Sequence, residues 1–461
     1  MNIKEGDLFD VRISDIEHHG RGLVRMDGFV VFVDHAVPQD IARIRITKKK
    51  KSYAEASVVS ISEPSLFRKK PECVYSDTCG GCTWQYLEYN KQLEYKQRHV
   101  AEALEHIGNL KGIKVHPTIC CEKTFGYRNK MEFSCSGRAL DFSGDPVKKD
   151  NNTGFALGLH VSATSEIVDI NKCLLQPELG NSILNKVKDY IKNSCYPGYD
   201  LKNHTGFWRF IMLRNSVAYN EWMVNLVTSK KNMKAVQPLA DMLTSEYPEI
   251  VSVVNNVTSR KAALVAGEYE IPVAGKSYIT EKINGLEFQI SANSFFQTNT
   301  AGAESLYETV KNYAGVSGNE SLVDVYSGTG AIAILLADSV CQVTGMELVK
   351  SAVDDAIINC KKNNISNCRF IHRDIQQSFP VLQKRPDVMI INPPRTGIHK
   401  YVIKQILNIE PERIVCVSCN PATLARDLSR LNEKYKILEI QPLDMFPNTY
   451  HIESVARLVK A

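Results

Sequence analysis

Leu322-Val323-Asp324-Val325-Tyr326-Ser327-Gly328-Thr329-Gly330-Ala331-Ile332-Ala333 passes from an apolar run through a glycine turn into a helical pattern. Residues 322–326 read as a buried strand and 330–336 as the start of a helix. Gly328, Gly330 and Ala333 fit a G-x-G-x-x-A turn, which lets a nucleotide-like ligand approach the backbone. Glu347 ends the next strand, 343–347, where a carboxylate accepts from ribose hydroxyls. The alternation continues with a helix at 349–363 and strands at 369–372, 387–391, 414–417, 437–440 and 455–459. Brief apolar strands alternating with helices predict an α/β domain over 291–461, a parallel sheet covered on both faces.

Such a turn serves nicotinamide dinucleotides and S-adenosylmethionine alike. Asp324 before the turn and Asp374 after the third strand favour the methyl donor. Asp374 is placed either to accept from an adenine amino group or to cap a helix. Asn392-Pro393-Pro394-Arg395 follows the fourth strand, where prolines hold the chain extended and a polar side chain can face a planar substrate. That loop argues against a dehydrogenase.

Ser418-Cys419-Asn420-Pro421 sets a thiol at the carboxyl end of a strand, where open α/β sheets put their ligands. Carbon 5 of uracil is too weak a nucleophile to attack a methylsulfonium unaided. A thiolate adding to carbon 6 makes an enolate and places electron density on carbon 5, which then takes the methyl group. A base removes the carbon 5 proton and the thiolate leaves. Cys419 fits the nucleophile of that scheme, and Glu453, in His451-Ile452-Glu453-Ser454 before the last strand, fits the base.

The upstream chain has a different texture. Across 1–62, Phe9-Asp10-Val11-Arg12-Ile13 and the runs 29–33 and 41–46 are β-branched or aromatic, with turns at Gly20, Gly22, Gly28 and Val37-Pro38. They predict a small barrel of OB type. Ala42-Arg43-Ile44-Arg45-Ile46 puts two arginines on one strand face, and residues 48–51 are all lysine, although the net charge is only +5. Residues 63–290 read as a mixed α+β domain with a helical stretch at 84–107. Tyr127-Arg128-Asn129-Lys130-Met131-Glu132-Phe133 and Phe207-Trp208-Arg209-Phe210-Ile211-Met212-Leu213-Arg214 suit either stacking on unpaired bases or ordinary half-buried strands.

Cys73, Cys79 and Cys82 form C-x5-C-x2-C, and Cys173 is the best fourth candidate, because Cys120 and Cys121 are adjacent. The chain has no eighteen-residue apolar run and no apolar segment near Met1, so a cytoplasmic location with reduced thiols is expected. The cysteine cluster then reads as a metal site, zinc or iron–sulfur.

Together these motifs resemble those of the RNA uracil-C5 methyltransferases, in the TRAM-domain, cluster-binding branch that modifies 23S ribosomal RNA. The resemblance covers nearly the whole chain. It implies a class I (Rossmann-like) methyltransferase domain at 291–461, an OB-like TRAM barrel for RNA binding at 1–62, and an RNA-binding central domain at 63–290. The stretch 418–427 matches the nucleophile motif around Cys419, and His451-Ile452-Glu453 matches the closing motif whose glutamate accepts the proton. Phe295-Phe296-Gln297-Thr298-Asn299 matches the donor-site segment, so Gln297, Tyr326 and Glu347 are expected to bind S-adenosylmethionine, with Asp374 and Asn392 beside them. Cys73, Cys79, Cys82 and Cys173 are expected to hold a [4Fe-4S] cluster. One position departs from the family: Asn392 stands where an aspartate is usual, keeping an acceptor for uracil N3–H but losing the charge. The expected partner is RNA, 23S rRNA before tRNA, with no membrane and no obligate protein partner. Amino-group methylation, which needs no thiol, and a non-catalytic RNA-binding iron–sulfur protein are the alternatives.

Overall fold

Alternate residues of the C-terminal strands feed two different cores. Leu322, Val388, Ile390, Val415 and Val417 pack with Leu306 and Val310 of the helix Thr300–Ala314 and with Ile332 of Ala331–Leu336. Val323, Val325, Met389, Ile391, Ile414 and Cys416 pack with Val402 and Ile406 of Lys400–Ile409 and with Leu424 and Leu428 of Pro421–Leu431. Period-2 alternation with apolar residues at both phases therefore gives a sheet buried on both faces. The computed structural model describes residues 3–137, 155–162, 164–262, 265, 267–382 and 384–461.

The strand order is Cys368–His372, Gln342–Glu347, Ser321–Val325, Val388–Ile391, Arg413–Ser418, Glu453–Lys460, Tyr435–Leu443 and Lys114–Val115. The first five run parallel, and Glu453–Lys460 lies antiparallel between Arg413–Ser418 and Tyr435–Leu443. This is the Rossmann-like sheet expected from the glycine turn. Its strand order reverses between Ser321–Val325 and Val388–Ile391, and a ligand crevice opens there beyond the carboxyl ends. The two-residue strand Lys114–Val115 comes from far upstream and pairs with the outer edge of Tyr435–Leu443. The helix Tyr89–His106 packs against Pro421–Leu431. It starts five residues later than the sequence pattern implied, because residues 84–87 form a turn closed by Leu87 N–H on Trp84 O.

The N-terminal segment is a six-stranded sheet ordered Leu8–Arg12, Ile41–Lys49, Tyr53–Glu63, Phe29–Asp34, Gly22–Met26, Asp15–Ile16. Ala42, Ile44 and Ile46 are buried with Val31 and Val33, while Arg43 and Arg45 are exposed, as the alternation required. The lysines 48–51 are exposed where the strands Ile41–Lys49 and Tyr53–Glu63 join.

A seven-stranded central sheet contains Lys130–Ser136, Trp208–Asn215, Trp222–Thr228 and Ile250–Val257 side by side. Every residue of Trp208–Asn215 is buried, which overturns the base-stacking reading of Phe207 to Arg214. Arg209 donates to Thr258 O at 3.0 Å and Ala262 O at 2.8 Å, and Arg214 donates to Ser294 O at 2.9 Å. Both guanidinium groups satisfy backbone carbonyls from later in the chain. Arg209→Met should therefore cost about 1–3 kcal/mol in chemical denaturation, the penalty for orphaned buried acceptors, and leave RNA affinity unchanged. Weakened RNA binding at undiminished stability would restore the contact role.

Candidate active site

The crevice is built from strand ends. Gly330 has φ +78°, and a Cβ there would lie 2.9 Å from Phe370 Cζ, so no side chain fits. Gly328 N–H donates to Glu347 Oε2 at 2.9 Å, while Leu348 and Val349 N–H each donate to Oε1 at 2.8 Å. These bonds aim the carboxylate across the turn. Tyr326 sits in the left-handed region at φ +66°, a conformation a bulky residue adopts only when its surroundings enforce it. Asp374 caps the short helix Ile375–Ser378 by accepting from Gln376 N–H at 2.8 Å, and still faces the crevice. Asn392 N–H donates to Val325 O at 3.2 Å, which holds the proline loop against the strand Ser321–Val325. Asn129 Nδ2 donates to Gln297 O at 3.0 Å and to Thr300 Oγ1 at 2.9 Å, locking the donor-site segment from the central sheet.

Strand register brings the remaining two residues together. Ser418 pairs with Ser454 on the antiparallel neighbour, so the next step along that register sets Cys419 opposite Glu453. Asn420 caps the helix Pro421–Leu431, its side-chain oxygen accepting from Ala422 N–H at 3.0 Å. Cys419 thus stands next to the positive end of a helix dipole, which favours a thiolate.

Cys419, Glu453, Gln297, Tyr326, Glu347, Asn392 and Asp374 all line one cavity of about 790 Å³. Arg128, Arg395 and Phe446 line it too. The aromatic–basic segment pointed to Arg128 and the proline motif contained Arg395, but no motif marked Phe446. Burial pushes the Glu453 carboxyl up to about 8, with the Arg395 charge opposing. Burial, then the Glu453 charge, push the Cys419 thiol up to about 11, and Arg395 again opposes. Asp324, on the floor, is pushed up to about 8 by burial.

The four cysteines lie apart from this crevice, around a second small cavity of about 30 Å³. Gly80 N–H donates to His160 O at 3.0 Å, and a Cβ on Gly80 would meet Ser162 Cα at 2.9 Å. That close approach seats Cys79 and Cys82 against the central sheet. Cys73 N–H donates to Gln85 Oε1 at 3.1 Å and Cys173 N–H to Asn181 Oδ1 at 2.8 Å. Burial pushes the Cys79 and Cys82 thiols up to about 12. Among the described residues no group of three or more His, Cys, Asp or Glu side chains is arranged to hold a metal ion. The cluster expectation thus finds a shared cavity and a suitable donor set, but no formed metal site.

The family model described as tRNA (uracil-5-)-methyltransferase matches residues 228–461, just over half of the chain. The chain belongs to this family. The uracil-5-methyltransferase match is joined by a TRAM domain over residues 3–59. Relatives named as uncharacterized RNA methyltransferases include one from Chlorobaculum tepidum, 37% identical over 100% of this chain and 98% of the relative. Another, from Bacteroides thetaiotaomicron, is 37% identical over 95% of this chain and 98% of its own. Among solved structures, the Pyrococcus abyssi tRNA (uracil-54, C5)-methyltransferase in complex with S-adenosyl-L-homocysteine is 29% identical, with a TM-score of 0.75. That likeness covers 98% of this chain and 100% of the other. The protein is an S-adenosylmethionine-dependent RNA uracil-C5 methyltransferase with a Rossmann-like catalytic domain. Among the described residues no helix is long and apolar enough to cross a membrane.

Proposed function

We propose that the enzyme methylates carbon 5 of a uridine in 23S rRNA, in the cytoplasm, through a covalent bond between Cys419 and carbon 6. The observation that carries this reading is the strand register that sets Cys419 beside Glu453 on the wall of the glycine-turn cavity. Gln297, Tyr326, Glu347 and Asp374 would hold S-adenosylmethionine, which supplies an electrophilic methyl group and a positive sulfonium. A cation entering the cavity favours ionisation of the raised thiol, as Arg395 already does. Cys419 adds to carbon 6, and Asn392 accepts from uracil N3–H. After methyl transfer to carbon 5, Glu453 takes the carbon 5 proton, the C–H electron pair closes the ring double bond, and the thiolate departs.

The base must leave its stack to reach this site. A chamber of about 1130 Å³ offers the route. It is lined by Arg21 and His35 of the barrel, Lys130 of the central sheet, and Arg128 and Thr298, which also line the catalytic cavity. The exposed arginines and lysines of the barrel add affinity that is independent of sequence and falls with salt. A second reading, tRNA as substrate, is favoured by the tRNA specificity of the Pyrococcus abyssi relative. Cys73, Cys79, Cys82 and Cys173 would hold a [4Fe-4S] cluster with a structural role, since methyl transfer needs no electron. Anaerobically purified protein is then expected to contain iron and visible absorbance, both lost in Cys79→Ser together with several degrees of thermal midpoint. Iron-free protein of equal stability would remove the cluster from this account.

Trapping on 5-fluorouridine RNA with S-adenosylmethionine tests the reading, because fluorine cannot leave carbon 5 as a proton does. A denaturation-resistant adduct on a 23S fragment supports the first substrate, and one on tRNA alone supports the second. No adduct on either, despite donor binding, overturns the covalent reaction.

A further inference from the structure

Residues 444–451 lead directly into Glu453, and side chains from outside the catalytic sheet hold them from several sides. Lys96 Nζ, on the helix Tyr89–His106, donates to Asp444 Oδ1 at 2.5 Å and to Phe446 O at 3.2 Å. Both charged side chains are completely buried. One turn earlier, Gln92 accepts from Asn448 N–H at 2.9 Å and donates to Asn448 Oδ1 at 3.3 Å. Asn448 is itself in the left-handed region at φ +65°. Its carbonyl accepts from Trp84 N–H at 3.0 Å, and its Nδ2 donates to Thr124 O at 2.8 Å. Tyr127 OH donates to Pro447 O at 3.1 Å, and Asn299 Nδ2 donates to Met445 O at 3.0 Å.

Gln92, Lys96 and His99 share one helix face, and His99 Nε2 lies 3.1 Å from Ile16 O of the barrel. One helix therefore ties the RNA-binding barrel to the segment that ends in the catalytic carboxyl. A buried ion pair is a poor source of net stability, because desolvation offsets the attraction. Fixing a position is what the arrangement does well. The segment's Phe446 ring lines the catalytic cavity, with the Arg128 guanidinium 5.6 Å above it.

We propose that Lys96 and Gln92 are positioning residues for proton removal: through residues 444–451 they keep the Glu453 carboxyl within reach of carbon 5. The proposal rests on the covalent reaction above. It separates that reaction into a step the helix does not govern, thiolate addition with methyl transfer, and one it does, loss of the carbon 5 proton with release of Cys419.

The test compares wild type with Gln92→Met and with the paired variant Lys96→Met/Asp444→Asn. The pair removes both buried charges together and leaves Oδ1 to accept from Phe446 N–H, a bond of 3.0 Å. Each protein is mixed with S-adenosylmethionine and ordinary uridine RNA, quenched in denaturant and read by intact mass. The expected result is accumulation of a methylated, thioether-linked adduct whose release is slowed roughly a hundredfold, the loss that a misplacement of about 1 Å produces. Trapping on 5-fluorouridine RNA, which does not require proton removal, stays at the wild-type rate. Unchanged turnover, or slowed turnover without a methylated adduct, overturns the proposal. Should the paired variant fail to fold, Gln92→Met decides alone, since it strands no charge. Wild type that forms no adduct on 5-fluorouridine RNA overturns the covalent reaction itself, a separate outcome.

Discussion

Cys419→Ala protein is expected to bind S-adenosylmethionine as wild type does, and to lose methyl transfer to uridine by on the order of 10⁴- to 10⁶-fold. The thiol is half-buried on the cavity wall, where alanine's smaller side chain adds no bulk, so the fold should tolerate a methyl group there. What is lost is the bond to carbon 6. Without it carbon 5 carries too little electron density to attack, and no placement of the donor compensates. Single-turnover transfer of labelled methyl and trapping on 5-fluorouridine RNA read the two aspects separately. A variant that keeps full activity would move the chemistry to an exocyclic amino group. Asn392, an amide where the resemblance led to the expectation of an aspartate, would then become the residue to alter next.

Glu453→Gln should fail later in the cycle. Methyl transfer proceeds, but the carbon 5 proton has no acceptor, so a methylated adduct persists and steady-state turnover falls roughly 10²- to 10⁴-fold. The pH dependence gives an independent check. With the carboxyl held at about 8, the free enzyme has most of this group protonated at pH 7. Release of the methylated adduct after single-turnover mixing should therefore speed up with pH up to about 8, and the glutamine variant should lack that limb. Stability runs the opposite way. The folded value of about 8 lies above the ordinary 4.5, so across that window the unfolded chain releases a proton that the folded protein keeps. The unfolded state then binds fewer protons, and folding stability falls as pH rises from about 4.5 towards 8 before levelling. Glu453→Gln should flatten this slope, so urea midpoints measured from pH 5 to 9 ought to converge on the wild type at the acid end and exceed it at the alkaline end. Parallel slopes would contradict the raised carboxyl.

The catalytic half of the molecule is legible in the chain because its signals are local. Gly328 and Gly330 mark a turn that only certain backbones make, while Cys419 follows and Glu453 precedes an apolar run that had to be a strand. The residues that escaped notice are those whose partners are remote. Arg209 and Arg214 look like nucleic-acid contacts until carbonyls some fifty and eighty positions later enclose them. Lys96 sits in a helix rich in charge and reads as solvated, since its partner Asp444 lies 348 positions away. Phe446 belongs to no motif and enters the cavity only because the preceding strand ends where it does. The cysteines show both sides of this: their spacing flagged a cluster, and the fold draws all four to one cavity, while among the described residues no group of three or more side chains is arranged to hold a metal ion.

The two-residue strand Lys114–Val115 has a consequence for how the enzyme can be dissected. Together with His116 N–H on Ile440 O at 2.9 Å and Ile119 N–H on Pro442 O at 3.0 Å, it occupies the outer backbone groups of Tyr435–Leu443. A fragment beginning near residue 291 would retain the glycine-turn crevice apart from Arg128 yet present that strand as a bare edge. Bare edges recruit strands from other molecules, so such a fragment should self-associate and precipitate. The smallest piece that keeps this edge covered would have to begin upstream of Lys114.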